Sequence, residues 1–439
     1  MRTYAQGMWD EFLDIGIQLI GSRMDPPQSS AATLSSYFTA ASDWGHYDQE
    51  SAVDVEYAAE GRKTRVDFVR ALPRELLFKV ISHLSVADLA SCFLVCKQWN
   101  HILNSELVWR YLYYTKFSPL TTTQHPVPLY SRLFKNYYTL HSNWMSGNYA
   151  ATVLQGHFDS VYCAQMVSTK LVVTGSRDKT LRVWDLETAR CIQVLKTHMG
   201  SILCVSSDES LLVTGSSDST CCVFKLPDLA YAYTINCQAG SVLDVQLNDT
   251  LIFTCTKNRL LAAWCKATGD LVWSVPGAHE AAINALQVVA DSVYTAGGDG
   301  LVKQWNIHTG AFLRQFSGHT RGLACLRVDL SQNKIFSGGN DRTIRAWDLT
   351  TGECTMTIAA HNQMVRSLFC IGKHIVSASY DRTIKVWDQR GECVALYEGL
   401  HGSWIFSVSG NAKRIISTSA GTKPVILDFT KGLDPEFCC

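Results

Sequence analysis

Neither sign of charge prevails in this chain: Lys and Arg together number 39, as do Asp and Glu, in 439 residues. Without a basic excess there is no electrostatic footprint of a nucleic-acid or anionic-membrane binder, and neither partner is expected. No apolar run of about 18 residues is present to span a bilayer. The opening stretch, MRTYAQGMWDEFLDIGIQLIGSRM, is interrupted by Asp10, Glu11 and Asp14, so it lacks the apolar centre of a secretory leader. No Cys-x-x-Cys pair is followed by a second at zinc spacing, and Cys221-Cys222 is only a doublet, so no metal is expected, and no cofactor.

What is present is apolar: 47% of residues are hydrophobic and only 18% charged, enough for a sizeable core. Of the 16 cysteines, those in strand-like runs, such as Cys163, Cys204, Cys325 and Cys370, read as buried free thiols. That usage suits a reducing cytoplasm or nucleus. Met8, Phe12, Ile15 and Leu19 give residues 1–25 an amphipathic helical stripe, a candidate self-association element. Residues 26–65 read as a polar, disorder-prone linker.

Helical spacing begins near residue 66. Leu72, Leu76, Val80 and Leu84 form one stripe, with Pro73 suited to a first turn. Ser85 and Asp88 have capping-box spacing ahead of Leu89, Phe93 and Cys96; Trp99, Ile102, Leu103, Leu107 and Trp109 mark a third segment. Three short helices bury little by themselves, and the surplus apolar positions suit a partner's groove. The stretch resembles an F-box, with Leu72-Pro73, Leu76, Leu84, Leu89 and Val95-Cys96-Lys97-Gln98-Trp99 standing at the family's positions. The resemblance implies that 66–113 docks a Skp-type adaptor, and through it a cullin, by Leu72, Pro73, Leu76, Leu84, Leu89, Val95 and Trp99. A connector over 114–148 should hold a helix near 131–140.

Beyond it the chain repeats. Trp184, Phe224, Trp264, Trp305, Trp347 and Trp387 follow one another at 40, 40, 41, 42 and 40 residues. In step run His157, His198, His279, His319, His361 and His401, with one His missing near Gly240. A third series is Asp178, Asp218, Asn258, Asp299, Asp341 and Asp381. Between these markers, β-branched runs such as SVYCAQMV, LVVTGS, TLRVWD and CIQVLK alternate with Gly, Ser and Asp turns, a four-strand unit. Its recurrence gives a β-propeller. Residues 149–430 resemble WD-repeat proteins, and the expected fold is a small all-α F-box module followed by an all-β seven-bladed WD-repeat propeller, with a tail at 431–439.

That family's pattern implies a buried chain from His157 through Thr174 or Ser176 to Asp178 and Trp184, with Asp341, Trp347, Asp381 and Trp387 equivalent in later blades. A His-Asp-Ser set repeated around a ring is scaffold, so no catalytic residue is expected. The strand at 149–154 should complete the last blade, beside 425–429.

The resemblance also points to one mouth of the ring: the residue before each turn Asp, and those three and five past each His. These include Arg177, Lys257, Asn340 and Tyr380, then Trp404, then Tyr162, Arg366 and Phe406, with no acidic residue among them. Cations beside aromatics suit a protein substrate, phosphorylated or not. The expected role is the non-catalytic substrate receptor of a Skp-cullin-F-box ubiquitin ligase; the alternative is a WD-repeat scaffold outside ubiquitination. The terminal DPEFCC carries no polybasic companion that would make it a prenylation signal.

Overall fold

Two i, i+4 pairs compete for the inner face of the first helix, α1 (Arg74–His83), and Leu77 and Ile81 win it. The computed structural model describes residues 72–117, 130–238, 240–434 and 437. The helix expected over 1–25, the 26–65 linker, the start of the 66–113 segment and the terminal cysteine pair lie outside the described residues. The chain divides into two units, 1–135 and 136–439.

In the first unit Pro73 stands just before α1, its carbonyl accepting Leu77 N–H at 3.0 Å. The expected capping box is present: Ser85 Oγ accepts Asp88 N–H and Asp88 accepts Ser85 N–H, opening α2 (Val86–Val95). The third segment divides in two, a correction to the three-helix expectation. Helix α3 (Lys97–Leu103) ends at Asn104, and α4 (Glu106–Phe117) runs beyond the expected boundary. The break is locked by Trp109 Nε1–H donating to Leu103 O at 2.7 Å. Lys116 Nζ reaches back to Leu84 O at 2.8 Å.

The connector helix, α5 (Tyr130–Ser146), is longer than its expected core at 131–140. Its last turns are held within the second unit. Asn143 Nδ2 donates to Phe429 O and Lys431 O, each at 2.8 Å, and the Trp144 ring stacks on Phe429 at 4.4 Å. The tail is also packed there, with Leu433 and Phe437 against the same apolar cluster.

Seven four-stranded antiparallel sheets make up the rest. Blades 1 to 6 span 161–195, 202–236, 242–275, 283–316, 323–359 and 365–397; blade 7 spans 405–428 and takes its outermost strand from Ala150–Val153. The closing strand pairs Ala150 with Asp428 and Val153 with Val425, as expected, and Leu154 N–H continues it to Pro424 O. Innermost strands contact their neighbours all the way round. The second strand of each blade is covered on both faces, so LVVTGS, LLVTGS and KIFSGG carry no alternation. Outermost strands alternate, as in the half-exposed CIQVL. Between blades 1 and 2, Val173, Leu181 and Val183 meet Ile202, Leu212 and Phe224. Each such side chain contributes about 1.5–3 kcal/mol on full burial.

Candidate functional site

The polar series forms within each blade, not at a shared site. In blade 1, Trp184 Nε1–H donates to Thr174 Oγ1, Thr174 bonds His157 Nε2, and His157 Nδ1 bonds Asp178, each at 2.8 Å. Thr174, not Ser176, is the link. Asp178 also accepts Thr180 N–H at 2.9 Å, pinning a turn in which Lys179 has φ 68°. Burial opposes the Asp178 charge, but bonds from Thr180, His157 and Phe158 N–H outweigh it and bring the carboxyl down to about 2. Burial holds the His157 imidazole below its usual range despite that carboxylate. Blades 4, 5 and 6 repeat the set, as in Trp347–Ser337–His319–Asp341 and Trp387–Ser377–His361–Asp381. Blade 7 keeps only His401 on Ser417, at 2.8 Å, with Gly421 where the Asp would stand. Buried with no carboxylate, His401 falls to about 4.

The mouth is built by two backbone devices. The residue before each turn Asp donates its N–H to the carbonyl of the residue three past the His, from Arg177 to Ser160 (2.8 Å) through Tyr380 to Met364 (3.2 Å), and the equivalent bond persists in blades 3 and 7 from Lys257 to Ser241 and from Ala420 to Trp404. The two classes therefore stand side by side. Two residues further along, the innermost strand slips register by one in all seven blades, at Tyr162, Leu203, Leu243, Asn284, Ala324, Arg366 and Phe406. A bulge leaves its extra residue unpaired and re-aims its side chain. All seven line one central cavity of about 110 Å³.

Four of the expected mouth residues come together. Tyr380 stacks on Trp404 at 5.0 Å and 10°, meets Phe406 edge-on at 5.8 Å, and Phe406 stacks on Tyr162 at 5.1 Å. This continuous aromatic patch covers blades 6, 7 and 1, and Trp404 remains 52% exposed. The cations do not converge: Arg177 is on blade 1, Lys257 on blade 3, Arg366 on blade 6, and Asn340 stands on blade 5. Arg177 Nε lies 3.7 Å from Asp159 Oδ2, a solvent-exposed pair of small energy.

Two charged groups of the cavity are missed by the mapped positions, Asp244 and Arg327. Asp244 accepts Val245 N–H and, across to blade 4, Leu286 N–H, both at 2.9 Å. Withdrawal from water pushes its carboxyl up to about 6, against the pull of Leu286 N–H, Arg327, Val245 N–H and Arg366. A signal was available: six past the His the other blades carry Cys163, Cys204, Ala285, Cys325, Ser367 and Ser407, and only blade 3 carries an acid. Burial pushes Cys163 and Cys325 beside the cavity up to about 12, so they stay thiols.

In the helical unit the expected adaptor residues separate. Pro73, Leu76 and Val95 are exposed, and Leu72 and Leu84 partly so. Leu89 and Trp99 are instead core residues, buried with Ile81, Leu103 and Trp109, and offer nothing to a partner. Leu94 and Val95 are 70% and 64% exposed, and Val80, Leu107 and Tyr111 add further uncovered apolar surface.

The F-box-like family model matches residues 69–115. The model described as WD domain, G-beta repeat, matches 148–185, 189–225, 310–348 and 352–388, each holding the outermost strand of one blade and the three inner strands of the next, blades 1, 2, 5 and 6. The chain is an F-box/WD-repeat protein. Among curated proteins this F-box/WD-repeat chain is 26% identical over 165 residues to a probable E3 ubiquitin ligase complex SCF subunit, sconB, of Arthroderma otae, covering 30% of this chain and 24% of that protein. It is 30% identical over 166 residues to F-box and WD repeat domain-containing 11-A of Danio rerio, covering 31% and 29%. The matched stretch thus spans under a third of those relatives' own length. Among solved structures the WD40 beta propeller domain of Doa1 is similar at TM-score 0.56 and 26% identity, over 64% of this chain and 97% of that one.

Proposed function

We propose that the chain is the substrate-recognition subunit of a Skp-cullin-F-box type ubiquitin ligase, acting in cytoplasm or nucleus. One observation carries the reading. The F-box-like unit completes its core with Leu77, Ile81, Leu89, Trp99 and Leu103, yet presents Leu76, Val80, Leu94 and Val95 to solvent. Exposed apolar surface of this kind on a small helical unit marks an interaction site. The propeller mouth then holds a segment of a client protein on Tyr162, Tyr380, Trp404 and Phe406, with Arg177, Lys257, Asn340 and Arg366 around them. The receptor contributes position and effective concentration, and transfer chemistry belongs to other subunits. The Cys163 and Cys325 thiols beside the cavity are held protonated by burial and are unsuited to act as nucleophiles there.

Adaptor capture tests it. The double variant Leu76→Glu, Val80→Glu should lose a Skp-type adaptor in a pulldown while melting as wild type does, because neither side chain is in the core. Undiminished capture would overturn the assignment and leave a WD-repeat scaffold in its place.

A further inference from the structure

The entrance to the cavity is lopsided. Blades 6, 7 and 1 supply the aromatic patch, and Phe158 and Met199, 84% and 82% exposed, add separate apolar side chains at the turns of blades 1 and 2. Both are held beside the turns by N–H donation to Asp178 and Asp218. Blades 4 and 5 offer no apolar anchor there: Glu280 and Thr320 stand at the places of Phe158 and Met199, and a Cβ on Gly322 would lie 2.6 Å from Gly298 O. An anchoring side chain therefore has one half of the ring to bind.

The charge distribution narrows the occupant. Recognition of a phosphate dianion calls for converging cations. Here Arg177, Lys257 and Arg366 occupy blades with no shared edge, Arg177 already leans on Asp159, and the adjoining pair Arg327 and Arg366 is shared with the Asp244 carboxylate. Within the cavity, Arg327 and Arg366 face a single carboxylate, Asp244, leaving an excess of one positive charge. The Arg327 side chain donates to Leu326 O at 3.3 Å, whereas the Arg366 side chain has no hydrogen bond among the described residues. Arg366 stands next to Phe406, and Phe406 next to Tyr162, in the ring of bulged positions, so a guanidinium without a side-chain hydrogen bond among the described residues adjoins the aromatic patch. One excess charge matches one carboxylate.

Taking the mouth as the client site, we propose that it reads an unphosphorylated acidic segment. A large aromatic or aliphatic side chain of that segment seats on Trp404 and Tyr380, and a neighbouring Asp or Glu carboxylate reaches Arg366. Phosphorylation is not required for recognition.

Two displayed peptide libraries panned against the full chain test this, one of unmodified random peptides and one with a fixed central phosphoserine. The unmodified library should yield peptides pairing an aromatic or large aliphatic residue with a nearby Asp or Glu. Fluorescence anisotropy with a selected peptide should then show at least about tenfold weaker binding for Trp404→Ala and for Arg366→Gln. Lys170→Ala, on an exposed turn of blade 1 at the opposite end of its strands from the mouth, should leave affinity unchanged, and phosphoserine in place of the acidic residue should bring no gain. Trp404→Phe, which keeps an aromatic face, should retain most of the affinity, separating a lost anchor from a lost fold. Binders from the phosphoserine library alone, no binders from either, or affinity indifferent to Trp404→Ala would each overturn the proposal. Adaptor capture through Leu76 and Val80 is scored separately: peptides selected without adaptor binding would sink the ligase reading and leave this one standing.

Discussion

Blades 1 and 3 occupy equivalent places in the ring but are fastened differently. Blade 1 has the whole chain from Trp184 through Thr174 and His157 to Asp178. Blade 3 has no His, and Asn258 replaces its Asp. Even so, Trp264 still donates to Thr254 at 2.9 Å, Lys257 N–H still meets Ser241 O at 2.9 Å, and Arg259 keeps the left-handed turn at φ 66°. Its core residues Val242, Ile252 and Leu261 are fully buried. Strand pairing and apolar packing thus make a blade, and the polar chain reinforces one already made. Freed of that chain, blade 3 carries the exceptional Asp244, which fastens it to blade 4 through Leu286 N–H. The loss of a repeated residue and the gain of an unrepeated one fall in the same blade.

If packing comes first, the largest effect should come from removing a strand. Deleting 149–154 strips blade 7 of its outermost strand and of the fully buried Leu154. The expected result is loss of a single cooperative melt, followed by calorimetry; a full-stability transition would break the comparison. Next, Asp341→Ala leaves His319, Thr343 and two backbone N–H groups without their acceptor. The expected loss is about 3 kcal/mol in urea denaturation. Asn258→Ala, at the same place in blade 3, should cost less than about 0.5 kcal/mol.

Blade 7 sharpens the same point through pH. The folded-state pKa of His401, about 4, lies below the ordinary 6.5, so the unfolded chain binds the proton more readily. Its contribution is complete above pH 6.5 and is lost as pH falls toward 4. Replacing it, as His401→Gln, should flatten the fall in stability across that window by roughly 2 kcal/mol. The Asp178 carboxyl, depressed to about 2, keeps its contribution until pH falls below the ordinary 3.8. Acid should therefore weaken the blade lacking a carboxylate first, which residue-resolved hydrogen exchange at pH 5 can follow.

The three residue series, the four-strand unit and the closing strand could all be read from spacing. The mouth positions and the membership of the polar chain came from the resemblance to WD-repeat proteins, and the bulge at each of the seven was not foreseen. The helical unit was less legible. Leu76 with Val80 and Leu77 with Ile81 are both i, i+4 pairs, and periodicity gives no reason to bury one before the other. The same ambiguity put Leu89 and Trp99 among contact residues when their side chains fill the core. The break between α3 and α4 carries no Gly or Pro to announce it; the indole of Trp109 bonding Leu103 O fixes it instead.

The sequence by itself determined the repeat, and with it the number of blades and the strand order. These depend on local hydrogen-bonding and packing preferences that recur with the letters. Only the tertiary structure decided which helical stripe stays uncovered, and that four aromatics from blades 6, 7 and 1 form one surface while three cations remain apart. The physical reason is ring closure. It brings residue 162 against residue 406, and no property of either letter records that they meet.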